Sequence, residues 1–169
     1  MLFSTEFLSG LIGAIVGGVF SLLGSHYEVK RQSENQKLID AENKLEARLL
    51  ALNSIKMEIT HNINQAEMFR IFLEEEEVDR LVFSEVKFIS NFHSYKWSRH
   101  SDIIGMINYP TLVEKAESFY ANVHLTNATN TIFIEGAINL SEKGNEVVIL
   151  INDTIKILQE NCNDFEVSS

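Results

Sequence analysis

The chain has 169 residues, a formal charge of −10, one proline, eight glycines and a single cysteine. This composition excludes a turn-rich all-β protein, a disulfide framework and a cysteine-rich zinc site. It also disfavours nonspecific binding to duplex nucleic acid, which needs a basic surface. The length allows one ordinary domain with an appendage. Between Gly24 and Gly105 there is neither glycine nor proline, so long helices and an all-α fold are expected. The chain divides by pattern into residues 1–25, 26–80, 81–163 and a flexible tail at 164–169.

Residues 7–25 carry no charge and contain "GLIGAIVGGVFSLLG". Nineteen such residues fit a hydrocarbon core about 30 Å thick at about 1.5 Å per residue. A cleavable signal would begin with positive residues and end in a small-x-small site, neither of which is clear here. A core helix of this length would normally show a polar face. The expectation is therefore one N-terminal transmembrane helix. Lys30, Arg31 and Lys37 follow it and no lysine or arginine precedes it, which orients the body to the cytoplasm and the N-terminus outside. In a bacterium this is the inner membrane, crossed once.

Five of the eight glycines fall in this stretch. Gly10, Gly13, Gly17, Ser21 and Gly24 form a stripe of small residues, the pattern by which helices approach closely in lipid. The stripe predicts a homo-oligomer, with a tetramer favoured. Ser21 and Ser25 are the polar groups suited to line a pore, should the assembly enclose one.

From His26 to about Leu73 one long helix is expected. Leu38, Leu45, Leu52, Ile59 and Ala66 repeat every seven residues, with Ala41, Leu49, Ile55, Ile63 and Phe69 on the alternate turns. Such a coiled-coil-like seam either packs on copies of itself or serves as the spine on which the remaining chain folds. Asn62 and Asn64 interrupt it. "EEEE" at 74–77 closes the helix, either as a solvated charge run or as an acidic ring around an assembly axis.

The rest reads as a cytoplasmic helical bundle. "SEVKFISNF" predicts a short helix capped by Ser84, and "SDIIGMIN" predicts another. After Tyr109-Pro110, Thr111 and Glu114 form a capping box for a helix running to about Asn139. Ser141 then starts a last helix through Val148, Ile151, Ile155, Leu158 and Cys162, the cysteine being an incidental or buried thiol.

Catalytic chemistry leaves little trace. Glu58 and His61 form half of a di-iron carboxylate motif whose second half is missing, so no metal is assigned. No phosphate-cradling loop or nucleophile elbow occurs, and no enzyme and no cofactor are expected. One cluster stands out: "HSYKWSRH", with His93, Tyr95, Lys96, Trp97, Arg99 and His100. Cations interleaved with aromatics suit a nucleotide or oligonucleotide ligand. Alternatively Tyr95 and Trp97 anchor a packing corner while Lys96 and Arg99 face water.

The Gly-rich span, Lys30 and Arg31 behind it, and the seam "LLALNSIKMEITHNI" resemble the membrane effectors of bacterial phage-defence operons, nearest to those of Hailong-type systems. The resemblance implies a homo-oligomer, a nucleotide-derived ligand made by a partner nucleotidyltransferase, and membrane disruption on activation. The expected function is an oligomeric membrane effector that permeabilises the bilayer as an ion pore. The alternative is a membrane-anchored scaffold or partner-binding subunit without a pore.

Overall fold

A computed structural model describes residues 5–85 and 91–166, with side chains except at 5–9, 11, 12, 15, 19, 85 and 161–166. The fold is mostly helical: α1 (Thr5–Glu75), α2 (Tyr95–Gly105), α3 (Pro110–Thr129) and α4 (Ile134–Glu166), with two three-residue strands, β1 (Arg80–Val82) and β2 (Thr131–Phe133). The chain falls into two units, residues 1–44 and 45–169, so the division lies within the expected 26–80 segment. Each unit is described by itself.

In the first unit α1 shows apolar side chains to its surroundings: Phe20 is 70% exposed and Leu22 74%. An added Cβ at Gly10, Gly13, Gly17, Gly18 or Gly24 would have nothing within 4 Å. Ser21 and Ser25 are exposed. Among the described residues no helix is long and apolar enough to cross a membrane. Phe7, Leu8, Leu11, Ile12, Ile15 and Val19, which supply much of the apolar character of 7–25, lie outside the described side chains.

The second unit is a helical bundle, and in it the seam is the spine. Leu52, Ile55, Ile59, Ile63, Ala66 and Phe69 are buried in the core of their own chain. Upstream the seam is not part of that core: Leu45 and Leu49 are half-buried, and Leu38, in the first unit, is exposed. Helix α1 ends at the glutamate run as expected. Glu77 adopts a left-handed conformation with φ 54°, and the Val78 N–H donates to the Leu73 carbonyl at 3.1 Å. That pattern satisfies a carbonyl the helix would otherwise orphan.

The chain then makes β1, and a 3₁₀ turn at Phe83–Glu85 stands where the helix from Ser84 was expected. Residues 86–90 of that expectation lie outside the described residues, and Phe92 is not helical. Phe69, Phe83 and Phe92 pack ring to ring at 5.4–6.1 Å between centroids.

Three expected boundaries are corrected. The capping box is absent: Tyr109 is the N-cap with no side-chain bond, and Pro110 opens α3, since its fixed φ and missing N–H suit a first turn. Helix α3 does not run to Asn139. Asn130 takes the left-handed conformation (φ 53°, ψ 27°), one of the few non-glycine residues that do so readily, and stops the helix at Thr129. The freed residues form β2, which pairs antiparallel with β1 through Leu81↔Ile132. Ser141 caps nothing; it is buried inside α4, where its hydroxyl bonds Glu67. Helix α4 crosses α3 and the spine closely at Gly144, where a Cβ would lie 2.6 Å from Ile63 Cγ1 and 3.1 Å from Phe119 Cε2.

Candidate functional site

The "HSYKWSRH" segment leads into and forms the first turns of α2, and two polar side chains of α1, Glu58 and Asn62, hold it there. Glu58 is 6% exposed on the core side of α1. Its Oε2 accepts from the Lys96 backbone N–H at 2.7 Å, and its Oε1 accepts from the Trp97 N–H at 3.1 Å and the Tyr120 hydroxyl at 2.8 Å. The N-cap residue of α2, Ser94, makes no side-chain cap bond. A carboxylate from another helix therefore performs the capping, satisfying orphan N–H groups where the helix dipole favours negative charge.

Just before α2, two asparagines grip the chain. Asn62 Nδ2 donates to the His93 carbonyl at 2.7 Å, and its Oδ1 accepts from the His93 N–H at 2.8 Å. Asn127, on α3, does the same for Phe92, at 2.8 and 3.0 Å. Consecutive residues without secondary structure thus have both backbone groups paired, as in a sheet ladder.

The aromatics complete the corner. Trp97 stacks on Tyr120 at 4.9 Å between centroids and an 11° interplanar angle. His93 stacks on His61 at 4.4 Å. Burial, the Glu58 charge and the bond to Glu58 push the Tyr120 phenol far above its ordinary pKa, so it stays a neutral donor. His100 Nδ1 is buried and has no hydrogen-bond partner among the described residues. Its pKa is lowered, first by desolvation and then by Arg99 and Lys96, against the pull of Glu58.

The six candidate residues therefore separate into two groups. Trp97 and His100 are half-buried at the corner, and His93, although exposed, stacks on His61. Tyr95, Lys96 and Arg99 are exposed, with Lys96 Nζ 5.9 Å from the Tyr95 ring centre. Lys96 and Arg99 share a helix face three residues apart, while Trp97 points away from it. The two cations and the indole do not converge.

Glu58 and His61 do not make a metal half-site: the carboxylate holds its donors and the imidazole stacks on His93. Asn127 and Tyr120 are residues that sequence reasoning missed, while Glu58 and Asn62 were visible in it but with other roles. The available signal was Glu58 and Asn62, four apart among Ile55, Ile59 and Ile63, which places two polar groups on a core-facing stripe.

Two shallow surface hollows occur elsewhere. One, of about 420 Å³, lies between α2 and α3 and is lined by Ile107, Pro110, Val113, Glu114 and Glu117. The other, of about 310 Å³, lies between α3 and α4 beside Asn122, Thr126, Asn139 and Lys143. Neither adjoins the Glu58 corner. No protein family matches the chain, and no curated protein or solved structure shows significant similarity to it.

Proposed function

We propose that the protein is a membrane-anchored, self-associating effector that acts by permeabilising the bilayer, with no catalytic step of its own. Residues 7–25 are its single span, and the bundle built on Leu45–Glu75 is the body that reads a signal. The supporting observation is the first unit of α1. Its glycines face open space while Phe20, Leu22 and Leu23 stand exposed, which suits a helix whose neighbours are lipid and other copies. The nucleotide-ligand reading narrows to Tyr95, Lys96 and Arg99, because Trp97 is engaged with Tyr120.

The reading is tested by expressing the chain in bacteria and following membrane potential, growth and membrane fractionation, with and without Gly17→Leu. Depolarisation lost in the variant supports a pore assembled through the glycine stripe. A chain recovered outside the membrane fraction overturns the anchored reading altogether. For the ligand, Lys96→Ala with Arg99→Ala should abolish nucleotide binding; unchanged affinity returns these residues to solvation.

A second reading, a scaffold or partner-binding subunit without a pore, is favoured by one physical point. Glycine contacts bring helix backbones together and leave no lumen between them. Membrane association and self-association without depolarisation, even during phage infection, select it.

A further inference from the structure

In the bundle unit, α1 has an outer face that the core does not use, and His61, stacked on His93, marks its edge toward the Glu58 corner. Between Leu50 and Phe72 the charged residues are Lys56, Glu58, Glu67 and Arg70, of which Lys56, Glu67 and Arg70 are half-buried. Glu58 is buried, and Arg70 is held between Glu67 at 2.9 Å and Glu74 at 2.7 Å. Every exposed residue of the stretch is uncharged. Three are large and apolar with little cover: Leu50 at 64%, Met57 at 75% and Met68 at 68% exposure, with Ile71 and Phe72 beside them.

The spacing has a period. Leu50, Met57, Asn64 and Ile71 lie seven apart, and Ser54, His61 and Met68 fall between them in steps of four and three. This is a second heptad, displaced from the Leu52–Ile59–Ala66 repeat that fills the core. It runs for about 33 Å at about 1.5 Å per residue.

We propose that this face docks a second copy of the chain, helix against helix. The occupant follows from charge and period. Two chains of −10 each repel over most of their surfaces, and an uncharged strip lets them meet without opposing like charges. A heptad seam needs a helical partner of the same period, which a copy supplies by identity. A phosphate-bearing partner, whether lipid headgroup or nucleic acid, would need exposed lysine or arginine here, and the strip has none. Ser54, His61 and Asn64 dilute the apolar seam, weakening it while fixing its register. The docking does not require the membrane reading and uses residues distinct from the glycine stripe.

The test is the mass of the full chain in mild detergent, by sedimentation, in a Gly17→Leu background that removes association through the span. The expected result is a dimer that Met57→Lys with Met68→Lys weakens at least tenfold, from like charges placed in opposition. His124→Lys, on an exposed part of α3, and the conservative Met57→Leu should leave the dimer intact. At concentrations low enough for the chain to be monomeric, the melting curve monitored at Trp97 should not move in any of them. A monomer in the Gly17→Leu background, or a dimer indifferent to the paired lysines, overturns the proposal. Membrane fractionation of the same variants reports separately on the anchored reading.

Discussion

Glycine has opposite surroundings in the two units of this chain. At Gly144 in the bundle the missing side chain is replaced by Ile63 and Phe119, which would lie within 3.1 Å of a Cβ. At Gly10, Gly13, Gly17, Gly18 and Gly24 no neighbour comes within 4 Å of that position. A helical glycine is about 0.8–1.0 kcal/mol less favourable than alanine, so it needs an offsetting contact. In the bundle that contact is intramolecular. In the first unit nothing described within the chain provides it, and the offset falls to whatever lies outside.

Substitutions in the two units should therefore separate into those that move the fold and those that move association. The largest effect belongs to Glu58→Ala, which strands two backbone N–H groups and the Tyr120 hydroxyl in the interior. A loss of about 3–4 kcal/mol is expected in a denaturant titration followed by the fluorescence of Trp97. Gly144→Ala should cost about 1–3 kcal/mol in the same measurement, because Ile63 must leave its position. An unshifted transition would mean that α4 rides farther from the spine than described.

The pH effect is smaller. His100 has a folded pKa below its ordinary value of 6.5, so the unfolded chain binds the proton more readily. Its contribution to stability is complete above that value and fades as pH falls below it. His100→Ala should flatten the decline measured between neutral and mildly acid pH. The smallest shift is expected for Gly17→Leu, which should alter bundle stability by less than about 0.5 kcal/mol while reducing self-association. A large fall in melting temperature there would break the contrast between the units.

Much of the fold was legible because apolar period survives in any context. Leu52, Ile59 and Ala66 announced a spine, and the glutamate run marked its end. Asn130 was not legible as a stop, since asparagine enters helices and left-handed caps alike, and only its surroundings choose. The strands around Leu81 and Ile132 are too short to leave an alternation. At the corner, Trp97 and His93 were visible as a cluster. Their partners Tyr120, Glu58 and Asn62 lie from about twenty to about forty residues from them in sequence, where spacing rules do not reach. Asn62 looked like an interruption of the seam because its use is to hold a backbone from another part of the chain.

The paired asparagines have a consequence for hydrogen exchange. Phe92 and His93 lie outside any helix or strand, yet both amides donate to side-chain carboxamides, one from α3 and one from α1. Their exchange should be slow for loop positions, and it is gated by two different openings. Loosening of α3 would release the first amide, and loosening of α1 the second. Neighbouring protons on one strand of chain thus act as separate gauges of the two helices that hold it.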